Sequence, residues 1–161
     1  MTIRIRAAEA EDYDDLCALF AQVDALHRDK LPHLYQKPRG PARAKDYILG
    51  RIANEHVGFF VAEAVGVLIG LVDVAVCESP PVSLLVPRRY AVVDSLVVDQ
   101  RFQRTGVGRA LMEQVHRWAA AQGATEVELT VYAFNETALA FYDSLGYRAL
   151  SSRMVRRLED G

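Results

Sequence analysis

The chain has 161 residues, about half of them apolar, and a formal net charge of −2. This length is typical of a single domain, and the apolar share is enough for a sizeable core. A charge near zero argues against nucleic acid as the main partner, because binding to a duplex needs a basic face. No apolar run approaches the roughly 20 residues of a membrane span, and residues 1–13 lack the apolar region of a secretory signal. We therefore expect one cytoplasmic domain over residues 1–161, with neither nucleic acid nor membrane as partner.

The histidines and cysteines do not have the spacing of metal ligands. Cys17 and Cys77 lie far apart and form no C-x-x-C pair. His56 and His116 have no matching acid or cysteine at ligand spacing. The sequence therefore predicts no metal site and two reduced thiols.

The apolar pattern predicts alternating helices and strands. A period of about 3.6 indicates helices and a period of two indicates strands, while prolines and glycines mark the loops. The predicted elements are, in order, a strand around 3–5, helices over 11–28 and 42–54, strands over 57–64, 67–77 and 90–98, a helix over 107–123, a strand over 127–131, a helix over 135–146, and a last strand or hairpin over 147–157. Val65-Gly66 is a tight hairpin connection, so the sheet cannot be wholly parallel. The expected class is α/β, or more strictly mixed α+β.

A glycine loop joins the strand over 90–98 to the next helix. Gly106 and Gly108 open this helix, and a helix N-terminus presents unpaired N–H groups with a partial positive charge. Arg101, Arg104 and Arg109 add positive charge beside it. The segment is therefore expected to bind an anion, such as a pyrophosphate.

Three nucleotide motifs compete for this loop. A Walker A sequence, GxxxxGK[ST], is absent. The dinucleotide fingerprint fits in part, but Leu111 occupies its third small-residue position, and Asp94 and Ser95 interrupt the preceding strand. The third motif, Q-x-x-G-x-G, is present from Gln103 to Gly108.

A second motif follows about thirty residues later, from Asn135 through Tyr142 to Tyr147. Together the two motifs resemble the GNAT superfamily of acyl-CoA-dependent N-acyltransferases, and they cover about 90–147 of the chain. The resemblance implies a single-domain GNAT-like fold. Its central sheet would be mixed but mostly antiparallel, with helices on both faces and a splay between strands at the coenzyme site.

The resemblance also implies which residues bind acetyl-CoA. The pyrophosphate would contact the backbone of the glycine loop, and the pantetheine arm would pair with the preceding strand, which usually has a bulge. The coenzyme residues so implied are Leu96, Val97, Val98, Gln103, Arg104, Thr105, Gly106, Val107, Gly108 and Arg109. Asn135 either contacts the pantetheine or serves only as a helix N-cap.

Two catalytic residues follow from the same resemblance. Tyr142 matches the general acid that protonates the departing thiolate, with a core aromatic as the alternative. Proton transfer from an unperturbed tyrosine would be uphill by roughly 2 kcal/mol, so the site must lower its pKa or stabilise the sulfur by proximity. Asp94 matches a general base acting through water, or else makes a structural hydrogen bond. Strict alternation places Asp94 among the apolar residues Val92 and Leu96.

The expected activity is transfer of acetyl from acetyl-CoA to a primary amine of a small molecule or peptide, by direct attack in a ternary complex. No cysteine lies in the motifs, so a covalent acyl-enzyme is not expected. The alternatives are a non-catalytic acyl-CoA-binding or interaction domain, and a nucleotide-dependent oxidoreductase. The acceptor pocket is expected at 25–45 and 78–91, where Arg88 and Arg89 would favour an acidic acceptor. The resemblance also allows a homodimer.

Overall fold

A computed structural model describes residues 1–159. Its internal contacts divide the chain into two compact units that meet in sequence at Thr130 and Val131. A single domain over residues 1–161 stays a prediction. None of the helices within residues 1–159 combines the length and apolar character needed to cross a bilayer.

The first unit is built on a five-stranded sheet whose spatial order follows the chain. Its strands are β1 (Arg4–Ala7), β2 (Val57–Ala64), β3 (Val67–Glu78), β4 (Arg89–Val98) and β5 (Glu126–Leu129). The pairs from β1 to β4 are antiparallel, and β5 is parallel to β4. The β2–β3 turn has positive φ at both Val65 (54°) and Gly66 (74°), as a type I′ hairpin requires. The predicted mixed, mostly antiparallel sheet is confirmed.

Two helices cover one face of this sheet. They are α1 (Tyr13–Lys30) and α2 (Lys45–Ala53). Leu16 and Phe20 of α1 join Ile48 of α2 in one buried cluster with Phe59 and Leu71 of the sheet. Burying a side chain of this size contributes roughly 1.5–3 kcal/mol, so this cluster holds both helices on the sheet.

A third helix, α3 (Val107–Ala121), packs on the sheet at Gly70 of β3. A Cβ atom at Gly70 would lie 3.0 Å from Leu111 and 3.1 Å from Val107, so a larger residue would have to displace these side chains and glycine allows the closest approach. Because Val107 is the first residue of α3, the contact fixes the start of that helix over the sheet. The helix ends at Gly123 (φ 83°), the predicted C′ glycine.

The second unit contains one helix, α4 (Glu136–Ser144), in its described part. Gly146 has φ 91°, and the N–H of Tyr147 donates to the carbonyl of Tyr142 at 3.0 Å. This arrangement closes the helix at its predicted C-terminal glycine.

The predicted last strand or hairpin over 147–157 is wrong. Residues 148–159 form neither helix nor strand, and their large apolar side chains are exposed. These side chains are Leu150, Met154, Val155 and Leu158. Leu150, Met154 and Leu158 do keep the even spacing of a strand face, but none of the five strands of the described sheet pairs with this segment, so it has no ladder to stabilise a strand.

Candidate active site

Asp94 occupies a β-bulge in the centre of the candidate site. Across the β3–β4 ladder Asp73 pairs with Ser95 and Val74 pairs with Val93, so Asp94 is the extra residue on β4. A bulge redirects side chains and increases the local twist of a strand. It also ends the strict alternation on which the prediction of a buried Asp94 depended.

The same bulge marks where β5 leaves β4. The two strands pair over only four residues of each, 90–93 with 126–129. Beyond Asp94, β4 continues through Leu96, Val97 and Val98, and among the described strands only β3 pairs with it there. The backbone edge of 96–98 is therefore available to an extended ligand, which can add to it as a strand would.

The glycine loop follows directly at the end of β4. A 3₁₀ turn (Gln100–Phe102) leads into exposed residues 103–106. Gly106 is the N-cap of α3 in the left-handed conformation (φ 91°), and Arg104 also has positive φ (63°). The first amides of α3 have no acceptor within the helix and lie at the positive end of its dipole. This is the geometry that binds phosphate groups.

The side chains of the loop bind mainly to the loop itself. Gln103 Nε2 donates to the carbonyl of Val98 at 3.4 Å, and the hydroxyl of Thr105 donates to the carbonyl of Phe102. Arg101 Nη2 donates to buried Asp99 at 3.0 Å. The hydrogen bond from Arg101 holds the pKa of Asp99 below its usual range. The charge of Arg101 is therefore compensated by Asp99.

Asp94 is not buried among apolar neighbours, which corrects the expectation from alternation. Its side chain is 45% exposed, and Oδ2 accepts a hydrogen bond from Arg51 Nη2 at 2.6 Å. Arg51 lies on α2 and donates through Nε to Oδ2 of Asp73 at 2.8 Å. Asp73 is buried, and that burial raises its pKa, while the charge of Arg51 opposes the rise.

Sequence reasoning missed both Arg51 and Asp73. Arg51 lies within the predicted helix over 42–54, and nothing in its sequence surroundings distinguishes it from an ordinary helical arginine. Asp73 carried a signal that was available: it is the one charged residue in the apolar run 67–76. A lone acid in such a run must be paired or used, because an unpaired buried charge is costly.

Asn135 and Tyr142 belong to the second unit. Oδ1 of Asn135 accepts from the N–H of Ala138 at 3.1 Å, so it is an N-cap of α4. The Tyr142 ring centroid lies 5.2 Å from that of Phe141 and 5.7 Å from that of Tyr147. Burial raises the pKa of Tyr142 to about 12, which is opposite to the expected lowering. If Tyr142 is catalytic, stabilisation of the sulfur by proximity is the expectation that fits this pKa, and its ring contacts also fit the alternative of a core aromatic.

The two predicted acceptor segments each form a hollow in the first unit. One, of about 150 Å³, lies within the loop between β3 and β4, beside Leu85, Arg88 and Tyr90. The other, of about 230 Å³, lies between α1 and residues 37–43. Each hollow is lined by one arginine that already has an acidic partner: Arg88 with Glu126 at 3.2 Å, and Arg43 with Asp24 at 2.5 Å.

Arg89 is paired as well, because its Nη1 lies 2.7 Å from Glu78. Arg88 has a second acid, Glu128, at 3.5 Å. An acidic acceptor at these two arginines stays a prediction, and it would have to compete with these partly exposed acids.

Metal-ligating side chains are not gathered at this site. Within residues 1–159 no group of three or more histidines, cysteines or acids is placed to hold a metal ion. Both cysteines are free thiols.

Comparison with known proteins agrees with this geometry. The model of the acetyltransferase (GNAT) family matches residues 20–147. An uncharacterized N-acetyltransferase of Methanocaldococcus jannaschii is 29% identical over 162 residues, covering 98% of this chain and 68% of that protein. N-acetyltransferase family 8 member 3 of Rattus norvegicus is 30% identical over 60% of this chain, but the match spans 41% of the rat protein's length.

The fold also matches solved structures. A crystal structure of a mutant protein from Bacillus halodurans superposes with a TM-score of 0.93 and 24% identity, covering 97% of this chain and 99% of that one. The family match extends over most of the chain and includes both motifs, which favours the acyl-CoA interpretation of the glycine loop over the dinucleotide one. The chain belongs to the acetyltransferase (GNAT) family.

Proposed function

We propose that this protein transfers the acetyl group of acetyl-CoA to a primary amine of a small molecule or peptide, by direct attack in a ternary complex. One observation supports this most strongly: the backbone edge of β4 opens at Asp94 and leads straight to the left-handed Gly106 at the start of α3. An unpaired strand edge followed by a helix N-terminus matches an amide-containing arm that ends in a pyrophosphate.

The coenzyme residues divide into two groups by the part of acetyl-CoA they would bind. Residues 96–98 would pair through their backbone with the pantetheine amides. Backbone N–H groups of residues 103–109 would bind the pyrophosphate, and the side chains of Arg104 and Arg109 would add charge. The fit rests on the absence of a Cβ at Gly106 and on the exposure of residues 103–106.

Asp94 is the proposed proton acceptor for the amine. An alkyl amine with a pKa near 10.4 is only about one part in a thousand neutral at pH 7, so the reaction needs a base. The side chain of Asp94 is close to half exposed, and Oδ2 is held by Arg51. An aspartate is short, so we assign it a role through a bridging water.

The roles proposed for Tyr142 and Asn135 are inferred from the family resemblance. With a pKa of about 12, Tyr142 stays protonated throughout the physiological range. Full proton transfer to a thiolate of pKa about 8.5 would be uphill by about 5 kcal/mol. We therefore propose that Tyr142 donates a hydrogen bond to the departing sulfur. Asn135, whose Oδ1 caps α4, would offer its amide N–H groups to the pantetheine.

The alternative is a domain that binds acyl-CoA without catalysis. One observation favours it: the ion pair between Asp94 and Arg51 is also what a purely structural aspartate would make. Both functions use the same glycine loop, so binding of coenzyme A does not distinguish them.

Thiol release is the experiment that does. Acetyl-CoA would be incubated with the protein and a panel of alkyl amines, polyamines, amino sugars and peptides, and the products identified by mass spectrometry. The proposal predicts amine-dependent release of coenzyme A with a matching N-acetylated product. Tight binding of acetyl-CoA without product from any amine would favour the non-catalytic alternative.

The order of the reaction can be tested with the amine found in that panel. Direct attack in a ternary complex predicts intersecting lines in double-reciprocal plots of initial rate. Parallel lines would indicate a covalent acyl-enzyme and would contradict the proposed mechanism.

A further inference from the structure

Three charged side chains from three different elements form two consecutive ion pairs that lead from the core to the surface. Asp73 of β3 contacts Arg51 of α2, which contacts Asp94 of β4. The exposed fraction of these side chains rises along the series, from 5% for Asp73 to 18% for Arg51 and 45% for Asp94. We propose that Arg51, anchored by Asp73, is a positioning residue that orients the Asp94 carboxylate for the acceptor amine. This inference rests on the proposed function, because it takes Asp94 as the proton acceptor.

The buried position of Asp73 is costly for the fold. Asp73 is buried, and its Oδ1 has no hydrogen-bond partner among the described residues. An apolar side chain of similar size would avoid that cost, since buried ion pairs rarely stabilise a fold more than good packing does. The buried acid is explained if its role is to hold the guanidinium of Arg51.

The geometry of the guanidinium fixes two carboxylates at once. Nε donates to Oδ2 of Asp73 at 2.8 Å and Nη2 donates to Oδ2 of Asp94 at 2.6 Å. Burial opposes the charge of Arg51, but the two acids together raise its pKa. A guanidinium is planar, so fixing one edge on Asp73 sets the direction of the other donors.

The side chain of Asp94 needs to be held by Arg51 because of its position on the backbone. It is the extra residue of the β-bulge, so the β3–β4 ladder does not fix it as it fixes its neighbours. The hydrogen bond from Arg51 uses Oδ2, and we assign Oδ1 to the water that takes the proton from the amine. Arg51 therefore acts through Asp94 and does not itself contact the reacting atoms.

The test uses Arg51→Gln in two backgrounds, the natural chain and Asp94→Asn. A residue that acts through Asp94 should lower kcat by about tenfold to hundredfold in the natural chain, with the KM for acetyl-CoA unchanged. It should have no further effect once Asp94 is replaced. Arg51→Lys should recover part of kcat, because lysine keeps the charge but not the two-directional geometry.

The matched control is Arg6→Gln. Arg6 of β1 forms an ion pair with Asp12 and has a side-chain exposure of 20%, close to that of Arg51. Its loss should reduce stability and leave kcat unchanged at a temperature where circular dichroism shows a folded protein. If Arg51→Gln does not fold, Arg51→Gln combined with Asp73→Asn removes both buried charges and still breaks the link to Asp94.

Three results would overturn the inference. In the first, Arg51→Gln leaves kcat unchanged. In the second, it lowers kcat equally in both backgrounds, which would show a structural role while the acetyl transfer reaction stands. In the third, Asp94→Asn alone retains full kcat, which would remove the base together with its positioning residue.

Discussion

Tyr142 is the residue whose chemistry most affects the proposed mechanism. Burial raises its pKa to about 12, so it is a poor proton donor by equilibrium but a persistent hydrogen-bond donor. We expect Tyr142→Phe to lower kcat by about a hundredfold, the range for losing one hydrogen-bond donor to the developing charge, while the Kd of acetyl-CoA is unchanged. Steady-state kinetics and calorimetric titration measure the two quantities. Turnover equal to that of the natural chain would remove Tyr142 from the mechanism.

The same pKa makes a prediction about pH. A group needed in its protonated form loses its effect as the pH rises through its pKa, so activity that depends on Tyr142 should persist up to about pH 10. A profile of kcat against pH should therefore show no alkaline decline that is due to Tyr142 below that value. A decline with its midpoint near pH 9, present in the natural chain and absent in Tyr142→Phe, would contradict this.

The pKa of Asp12 predicts how the stability of the fold depends on pH. Its carboxylate accepts two hydrogen bonds from Arg6, at 2.8 and 2.9 Å, and another from the N–H of Glu9. These bonds, led by the one from Arg6, lower the pKa of Asp12 below its ordinary 3.8. A lowered acid pKa contributes stability that is present above pH 3.8 and is lost as the pH falls through the folded-state value.

We expect Asp12→Asn to cost about 1–3 kcal/mol of unfolding free energy at pH 7, because it removes the charged acceptor of two hydrogen bonds from the partly buried guanidinium of Arg6. The cost should shrink as the pH falls below 3.8, because the side chain of Asp12 then binds a proton in the unfolded chain, and it should vanish below the lowered pKa of the folded state. Urea unfolding at neutral and acid pH measures the difference. An equal cost at both would show that the charge of Asp12 does not matter.

At the scale of elements, the start of α3 depends on a backbone conformation that only glycine adopts easily. Gly106 has φ 91°, and no atom lies within 4 Å of where its Cβ would be. Gly106→Ala should therefore cost about 1–2 kcal/mol through backbone strain alone. It should also weaken binding of coenzyme A, because relief of the strain reorients the first amides of the helix.

Gly50 provides the matched control within α2. It also has open space around its Cβ position but lies inside a helix with ordinary φ. Gly50→Ala should raise stability by up to about 1 kcal/mol and leave coenzyme binding unchanged. Calorimetric titration and thermal unfolding of both variants test the pair. Equal coenzyme affinity in Gly106→Ala and the natural chain would argue against a pyrophosphate site at this loop.

Local signals allowed most elements to be predicted. Each of these signals depends on a few neighbouring residues. They are the hairpin at Val65-Gly66, the glycines that end two helices (Gly123 and Gly146), and the N-cap at Asn135. The β-bulge at Asp94 could not be predicted from alternation, because it follows from the register of β4 against β3. The contacts of Arg51 with Asp73 and Asp94 join residues 22 and 43 positions apart, so only the folded sheet brings them together.

At the scale of the whole molecule, the exposed C-terminal segment is where a homodimer can be tested. A homodimer stays a prediction of the family resemblance. Met154 is 91% exposed and Val155 87% exposed, in a segment with no secondary structure. Such side chains gain free energy if a second copy covers them.

We expect Met154→Ser combined with Val155→Ser to shift a dimer toward monomer in light scattering after size-exclusion chromatography. Leu84→Ser is the control, because Leu84 is 89% exposed but lies in the loop between β3 and β4. If the natural chain is monomeric, or if a dimer persists in the double variant, this segment does not form a dimer interface.

The most direct test of the proposed acetyl-CoA site is a crystal structure of the protein with acetyl-CoA. We expect the pyrophosphate to lie against the backbone amides of residues 103–109 and the pantetheine to lie along residues 96–98. The thioester should lie on the side of β4 where Asp94 is held by Arg51. Density that places the pyrophosphate away from the α3 N-terminus, or the pantetheine away from the open edge of β4, would contradict it.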